Sequence, residues 1–419
     1  MRAGYDATKE AAEQSARQAE VLAARREKHA AAAGDAAEGK FVVKAALAPG
    51  RTMKFCSICR VKGHGSRYCE VLLRRPDWQL IPSQKWFVDD AHNQYHCPNG
   101  NRLVDLCDEM HFSRMAMYLK GRQCLENKAR LGLLVAGRNL MPDTFYIRDM
   151  QWVDGLHPID ADGDVLPWFV KEAEGNEGSF VECCEKASDC MTLARPGANF
   201  VVQQHVKDQL LYEGRKFHLR CHVLITCKQD GSTWRVYTYR DGYLNISPNQ
   251  WSPDCLSRDT QVVIYRSQRI GSWQPWEDVY PKCQASAKQI IEQAVMQGQL
   301  EGRLGQEQFE IASLDYMVDT HGEVWLLEIN MGPVLRDSFL DPDLNDDDLI
   351  SAAFEIIVPQ EDPPNLGRWD FVCELIGVAP LPAEPPAVSC IPEQVAAVSE
   401  ELLEDKVVDD VLLFLDSFA

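Results

Sequence analysis

The segment SLDYMVDTHGEVWLLEIN (residues 313–330) constrains the fold more than any other part of the chain. Its alternating apolar run is typical of a β-strand, and side chains two residues apart on a strand share a face, so Glu328 and Asn330 point the same way. Asp315 lies on the preceding strand-like run, thirteen residues before Glu328, across a turn at residues 320–322. Two carboxylates and an amide that converge across a hairpin form an all-oxygen cage, which suits Mg²⁺ bound to nucleotide phosphates better than zinc.

The alternative interpretation of this segment is an ordinary β-hairpin whose acids are solvated. Against it, a carboxylate inside WLLEIN has apolar neighbours on both sides, and an unpaired buried charge is costly.

The composition limits the class of protein. The net charge is −20, which argues against a general nucleic-acid binder or a membrane-surface protein, so an acidic partner needs a locally basic groove. The 15 scattered cysteines and the N-terminal sequence indicate reduced thiols and a cytoplasmic protein, with association to the cytoskeleton as one possibility. No run approaches the apolar length of a membrane span, so we expect no membrane partner.

The chain divides into four parts by composition. We predict a helical or disordered tail over residues 1–50, a small metal module over 51–75, a catalytic domain over 76–360, and a Pro-rich linker with an acidic amphipathic tail over 361–419. Short β-like runs alternate with helical stretches in the large domain, which predicts an α+β fold with mainly antiparallel sheets.

The small module has the spacing of a zinc site. FCSICRVKGHGSRYC places Cys56, Cys59, His64 and Cys69 in the pattern C-x2-C-x4-H-x4-C. Three thiolates and an imidazole at this spacing can hold one tetrahedral Zn²⁺, and such a site supplies folding energy to a segment too small for its own core. The pattern resembles a retroviral-type zinc knuckle. Its ligand is either single-stranded RNA or DNA, or a protein, because Ser57 stands where many knuckles have a stacking aromatic residue.

The large domain contains no P-loop motif, so phosphates must be held in another way. Residues 166–182 are predicted to form a strand, a glycine-containing loop and a strand. Lys171 ends the first strand, and Gly175 and Gly178 can present backbone N–H groups to phosphate oxygens. The next strand ends in Gln203 and Gln204, which can offer amide and backbone groups to an adenine edge.

A row of basic side chains follows. Lys216, His218 and Arg220 alternate with apolar residues and therefore share one strand face, and Arg240 lies on the next strand. Cations in such a row are costly on a core face and useful on a ligand face.

The order of these motifs resembles the ATP-grasp domain (glutathione synthetase-like) of the tubulin–tyrosine ligase-like family. That family has a lysine before a glycine-rich loop, a Q-K-Y-L-like hinge, G-x-K-F-D-x-R, a later arginine, then D and W-L-L-E-x-N. Residues 203–206, 214–220 and 315–330 match the later motifs here, and the segments 125–130 and 141–147 resemble motifs upstream. The resemblance spans about residues 86–358.

The resemblance implies a role for each residue. Lys171 and Lys216 would neutralise ATP phosphates, with Gly175 and Gly178 in the loop; Gln203, Gln204 and Val206 would frame the adenine. Asp315, Glu328 and Asn330 would hold Mg²⁺, and Arg220 and Arg240 would bind the acceptor carboxylate. The implied reaction joins an amino-acid donor to a protein carboxylate, on tubulin or another protein with an acidic tail, through an acyl-phosphate.

Two departures from the family pattern leave alternatives open. His218 stands where the family usually has an Asp that contacts the ribose, and the loop EAEGNEGS is acidic where the family's is commonly basic. The alternatives are a catalytically degenerate scaffold that acts as an adaptor for RNA, single-stranded DNA or protein, and a ligase that acts on a small metabolite. Residues 201–240 carry seven Lys or Arg against three Asp or Glu, a local excess that would attract an acidic substrate.

Overall fold

The computed structural model describes residues 54–58, 68, 71–76, 78–80, 104–108, 115–159, 167–175, 180–263, 267–305, 307–333, 335, 346–360 and 362–378. The predicted tail up to residue 50, the prolines from 380 onward and the acidic C-terminal helix lie outside these residues.

Strands dominate the described part of the chain. In chain order they are β1 (Lys54–Ile58), β2 (Trp78–Leu80), β3 (Val104–Asp108), β4 (Met115–Ala116), β5 (Thr144–Arg148), β6 (Gln151–Trp152), β7 (Trp168–Glu172), β8 (Val181–Cys184), β9 (Phe200–Gln204), β10 (Arg215–Cys227), β11 (Thr233–Gln250), β12 (Ser267–Arg269), β13 (Glu307–Val318), β14 (Val324–Met331) and β15 (Trp369–Ile376).

The α-helices within the same residues are α1 (Gln123–Glu126), α2 (Lys128–Leu134), α3 (Arg258–Gln261), α4 (Trp276–Met296) and α5 (Asp347–Ile357). Short 3₁₀ helices cover Val153–Gly155, Ala187–Leu193 and Ile270–Ser272. The long helix α4 begins with two acids, Glu277 and Asp278, which suit the positive end of the helix dipole.

Two sheets form the framework. The ten-stranded sheet has the order β12-β11-β10-β13-β4-β3-β1-β2, with β14 added to β13 and β15 to β11. The five-stranded sheet has the order β6-β5-β9-β7-β8. All pairings are antiparallel except β1 with β2 and β4 with β13. This mixed α/β architecture with antiparallel sheets confirms the expected fold class at that level.

Helix α4 covers one face of the large sheet. Its buried side chains recur every three or four residues, as in Trp276, Tyr280, Cys283 and Ala287, and share a cluster with Leu219 of β10. Because strand side chains alternate, the apolar residues of β10 enter this core while their neighbours face the opposite side of the sheet. The site therefore lies on the face away from α4.

The other face shows that the predicted boundary at residue 75 does not separate two cores. Tyr68 and Leu72 are buried in one cluster with Phe309 of β13 and Phe354 of α5, and β1 is a strand of the ten-stranded sheet. Tyr68, Val71 and Leu72 follow the i, i+3, i+4 spacing of a helical stripe. The metal-like spacing of the same segment had hidden that signal.

The fold also continues past the predicted domain end at residue 360. Strand β15 pairs antiparallel with β11 from Thr233↔Ile376 to Tyr239↔Trp369. The prolines near residue 363 indicated a linker, but the apolar run WDFVCELI that follows them fills an edge of the large sheet.

The register between β10 and β11 shifts beside the site. Cys221 is opposite Gly242 and Val223 is opposite Thr238, so one residue on β10 faces three on β11. At Gly242 a Cβ atom would lie 2.3 Å from the carbonyl oxygen of Arg220, so only glycine allows this approach.

We predict that Gly242→Ala lowers the free energy of unfolding by about 1–3 kcal/mol, because the added methyl group forces the backbone at Arg220 to move. Gly271→Ala is the matched control, since a Cβ there meets no atom within 4 Å. Urea denaturation measures both variants. Equal stabilities for the two would show that the close approach at Gly242 has no energetic consequence.

Candidate functional site

A cavity of about 100 Å³ lies between the five-stranded sheet and the site face of the large sheet. Eight of the predicted site residues line it: Lys171, Gln203, Gln204, Val206, Lys216, His218, Asp315 and Glu328. The remaining lining residues are Phe169, Val181, Phe217, Gln261, Val262, Val263, Met317 and Leu327. Residues from six strands distant in sequence therefore meet at one place.

The predicted oxygen donors converge. Asp315 of β13 is directly opposite Glu328 of β14, and the amide nitrogen of Asn330 lies 3.3 Å from Glu328 Oε1 and 3.4 Å from Asp315 Oδ2. The amide group thus lies within reach of both carboxylates. Among the described residues no three His, Cys, Asp or Glu side chains cluster as a metal site; this set contains two carboxylates and one amide.

A β-bulge places Glu328 in the cavity. The register shifts between Asp315↔Glu328 and Tyr316↔Leu326, so Leu327 is an extra residue. Leu326 and Ile329 are both buried in the core under α4, whereas Leu327 and Glu328 line the cavity. In a regular strand Glu328 would share the face of Leu326, so the bulge removes this carboxylate from the apolar core.

Arg220 grips Asp315 with two hydrogen bonds. Its Nε donates to Oδ1 at 2.9 Å and its Nη2 donates to Oδ2 at 2.8 Å. Asp315 is 2% exposed, and a buried carboxylate requires such a partner. The same carboxylate raises the pKa of Arg220 further, against the opposing effect of burial.

His218 is a neutral ring. Burial lowers its pKa, and nearby Asp315 only partly opposes this effect. Its Nε2 lies 2.7 Å from the amide nitrogen of Asn245 and 3.7 Å from Asp315 Oδ2. Because the amide nitrogen donates, Nε2 acts as an acceptor, so His218 does not supply the negative charge of the Asp found in relatives.

Two lysines approach the cavity from different sheets. Lys171 donates to Gln203 Oε1 at 2.6 Å, and Lys216 donates to Gln261 Oε1 at 3.3 Å. Burial lowers the pKa of Lys171 to about 8 and that of Lys216 to about 7. Both side chains therefore gain from a ligand that brings negative charge.

The predicted adenine hinge follows β9. The side chain of Gln203 is occupied, since it accepts from Lys171 and donates to Thr144 Oγ1 at 3.3 Å. The carbonyl oxygen of Val206 lies 2.7 Å from His205 Nδ1. Burial lowers the pKa of His205 to about 3, so this ring is neutral and its Nδ1–H donates to that carbonyl.

Lys128 is a site residue that the sequence interpretation did not name. Its Nζ donates to the carbonyl oxygen of Gly175 at 2.5 Å and lies 3.1 Å from Glu328 Oε2. Burial would raise the pKa of Glu328, but Lys128 and Lys171 together hold it at about 2. The available signal was Asn127, whose side chain caps α2 and fixes the first helical turn at Lys128.

Arg240, predicted to bind the acceptor, lies away from this cavity. It falls in the extra residues of β11, its side chain is 58% exposed, and its Nε and Nη2 donate to Asp370 of β15 at 3.0 Å each. The alternating pattern of WRVYTYR could not reveal the register shift that turns this side chain toward α4.

The predicted phosphate loop is only partly described. Gly178 lies outside the described residues. The N–H of Gly175 donates to the carbonyl oxygen of Glu172, so it is already used within the turn. Glu172 itself pairs with Arg195 at 2.8 Å, which answers its predicted repulsion of phosphate.

The predicted zinc ligands Cys59, His64 and Cys69 also lie outside the described residues. Of Cys56 the backbone is described, and it is paired on both sides, with Leu80 of β2 and Leu106 of β3. This strand is extended to Ile58, whereas a Cys-x2-Cys chelate needs the chain to turn back directly after its first cysteine. The described backbone therefore does not fit the knuckle.

The basic excess predicted over residues 201–240 does not form an unpaired positive surface. Arg235 pairs with Glu374 and Arg240 with Asp370, both on β15, and Arg220 pairs with Asp315. These acids lie outside the counted window, so the local sequence count overestimated the charge. Within the described ranges no helix is both long and apolar enough to cross a membrane.

Comparison with known proteins agrees with this site. The model of the tubulin-tyrosine ligase family matches residues 111–265 and 263–366, more than half of the 419 residues. Tubulin monoglycylase TTLL3 of Mus musculus is 24% identical over 212 residues, which is 43% of this chain and 22% of that protein. Protein monoglycylase TTLL8 of Mus musculus is 21% identical over 224 residues, 44% of this chain and 25% of that protein.

A third relative is the probable alpha-tubulin polyglutamylase Ttll1 of Tetrahymena thermophila, 24% identical over 230 residues, 46% of this chain and 54% of that protein. The aligned part thus spans between 22% and 54% of these three relatives' own lengths. The matched residues include every strand that lines the cavity. The chain belongs to the tubulin-tyrosine ligase family.

Proposed function

We propose that this protein is an ATP- and Mg²⁺-dependent ligase that joins an amino acid to a protein carboxylate, with an ATP-grasp arrangement of its two sheets around the nucleotide. The observation that carries the proposal is the convergence of Asp315, Glu328 and Asn330 with two buried lysines in one cavity. Such a collection of opposite charges is expensive to assemble in a protein interior without a ligand that uses it.

The residues present fit a divalent cation. The amide of Asn330 lies between the carboxylates of Asp315 and Glu328, and turning that amide over would present its oxygen instead of its nitrogen. Asp315, Glu328 and Asn330 would then hold Mg²⁺ through oxygen atoms only, as that ion prefers. When bound, Mg²⁺ neutralises charge on the phosphates.

Lys171 and Lys216 would hold the phosphates from the two sheets. The cavity of about 100 Å³ is smaller than the roughly 300–1,000 Å³ typical of ligand pockets, so its walls must separate around a nucleotide. The Lys216–Gln261 hydrogen bond joins β10 to the wall formed by α3, and at 3.3 Å it is long. We expect the wall to open along this contact.

Arg220 is the residue we assign to the reacting groups. In the proposed reaction the acceptor carboxylate takes the γ-phosphoryl group of ATP and releases ADP; the donor amine then displaces phosphate to form an amide bond. Arg220 lies on Asp315 at the cavity edge and would stabilise negative charge on the transferring oxygens. Arg240 would need to leave Asp370 to contribute.

The substrates follow from the relatives. Their names describe glycylases and a polyglutamylase, two of which are named for tubulin. We propose tubulin, or another protein with an acidic tail, as acceptor, and a cytoplasmic, cytoskeleton-associated setting. The donor amino acid is open, since tyrosine, glutamate and glycine all carry the required amine.

We do not extend the proposal to zinc or to single-stranded nucleic acid, because the extended β1 strand at Cys56 disfavours the knuckle on which both depended. The alternative of a catalytically degenerate scaffold is an outcome of the next experiment.

The decisive experiment is calorimetric titration with ATP, with and without Mg²⁺, followed by incubation with tubulin and labelled Tyr, Glu or Gly. We expect Mg²⁺-dependent binding that falls at least about tenfold in Glu328→Gln, because one metal-binding charge is lost. Glu323→Gln is the matched control, an exposed acid that pairs with Lys282 away from the cavity. Absence of Mg²⁺-dependent binding in both wild type and Glu328→Gln would support the scaffold.

Lys128→Met should weaken ATP binding about tenfold, roughly 1.4 kcal/mol, because Glu328 and Gly175 lose their shared partner. Lys282→Met is a close control, since Lys282 also joins a carboxylate and a glycine carbonyl, those of Glu323 and Gly322. If both variants bind ATP like the wild type, Lys128 does not organise the site.

Nucleotide affinity should fall as the pH rises from 7.5 to 9, where phosphate itself is fully ionised. The pKa of Lys216 is about 7 and that of Lys171 about 8, so both lose their charge over this range in the free protein. Bound phosphate favours the ammonium form, so binding takes up protons. We expect at least about tenfold weaker binding at pH 9. A flat profile would contradict the role of these lysines, and Lys216→Met should flatten the profile in part.

A further inference from the structure

A second, larger cavity of about 360 Å³ lies beside α2. We call it the α2 cavity; Asn127, Ala129, Arg130 and Leu133 contribute its helix side. Its floor contains Ile147 of β5 and Phe200 of β9, which are 1% and 0% exposed. The volume lies at the lower end of the roughly 300–1,000 Å³ range of small-molecule sites.

Four charged side chains line this cavity: Arg130, Arg148, Asp149 and Glu174. Within the described part of the chain none of the four makes an ion pair or a side-chain hydrogen bond with another residue. Elsewhere in the same structure exposed cations do find acids, as Arg195 finds Glu172 and Arg235 finds Glu374. Two cations and two anions therefore surround an open volume without neutralising one another.

The positions of these groups are set by short connections. Arg148 and Gln151 are paired across the β5–β6 hairpin, so Asp149 and Met150 form a two-residue turn with φ of 49° and 60°. This turn holds an acid directly beside a base at the rim. On the wall, Tyr146 packs against Gly132 of α2, where a Cβ would lie 2.2 Å from its hydroxyl oxygen.

The Tyr146 hydroxyl supplies a neutral donor. Burial raises the pKa of Tyr146 to about 12, so the group stays protonated at neutral pH. Among the described residues it has no hydrogen-bond partner. It is therefore available to a ligand on the cavity wall.

We propose that the α2 cavity binds a free α-amino acid as its zwitterion. The carboxylate would meet Arg130 and Arg148, the ammonium group would meet Asp149 and Glu174, and the side chain would lie on Ile147 and Phe200. A polyanion would be repelled by the two acids, and an uncharged apolar ligand would leave four charges without partners. A ligand that carries both signs satisfies all four.

The α2 cavity is adjacent to the nucleotide cavity but separate from it. Glu174 lines the α2 cavity, and the carbonyl oxygen of the next residue, Gly175, accepts the hydrogen bond of Lys128. Lys128 contacts Glu328 in the nucleotide cavity. Binding at the α2 cavity does not require ligase activity, so the two proposals can fail independently.

The test uses the full-length protein and the twenty L-amino acids, screened by thermal shift and followed by calorimetry without nucleotide. We expect at least one to bind with a stoichiometry of one, and its N-acetyl and amide derivatives to bind at least about tenfold more weakly, since each lacks one charge. Arg148→Gln and Glu174→Gln should each reduce affinity at least about tenfold. Arg138→Gln, an exposed arginine that contacts Gln293, should have no effect.

Glu328→Gln separates this site from the proposed active site, because it should leave amino-acid binding unchanged. The inference is overturned if no amino acid binds, if binding survives both Arg148→Gln and Glu174→Gln, or if binding is lost in Glu328→Gln, which would place the ligand in the nucleotide cavity. Equal binding of the blocked derivatives would also overturn it, because the zwitterion would then have no advantage.

Discussion

The bidentate pair between Arg220 and Asp315 is the interaction on which the rest of the site depends. It joins the two central strands at one register position, and the next register position across is Glu328. A carboxylate that is 2% exposed would be strongly destabilising without this partner. Gly242 lets β11 approach the carbonyl of Arg220 on the other side, so three strands fix one guanidinium group.

Charge balance links the two sheets through this site. Lys128 and Lys171 hold the pKa of Glu328 near 2 despite its burial, while burial brings the pKa of Lys216 to about 7. The five-stranded sheet thus contributes cations and the large sheet contributes most of the anions. The ligand we propose carries both kinds of charge, phosphates for the lysines and a divalent ion for the carboxylates, which explains why neither sheet is electrically complete without the other.

Local patterns predicted the parts of the site that depend on local geometry. Period-two alternation correctly grouped Lys216, His218 and Arg220 on one face, and the hairpin correctly opposed Asp315 to Glu328. The failures were non-local. Neither the bulge at Leu327 nor the extra residues around Arg240 changes the hydrophobic pattern, and the partners of Lys128 and of β15 lie far away in the sequence. The metal-like spacing near residue 60 was convincing alone, yet its neighbours Tyr68 and Leu72 belong to the core of the large domain.

The most direct test of the central claim is a crystal structure with Mn²⁺ and a non-hydrolysable ATP analogue, using the anomalous signal of manganese to locate the ion. We predict a single strong peak within coordination distance of Asp315, Glu328 and the Asn330 side-chain oxygen, with the triphosphate against Lys171 and Lys216 and the Arg220–Asp315 pair retained. A nucleotide bound in that cavity with the manganese peak elsewhere, or with those three side chains turned from the ion, would contradict it.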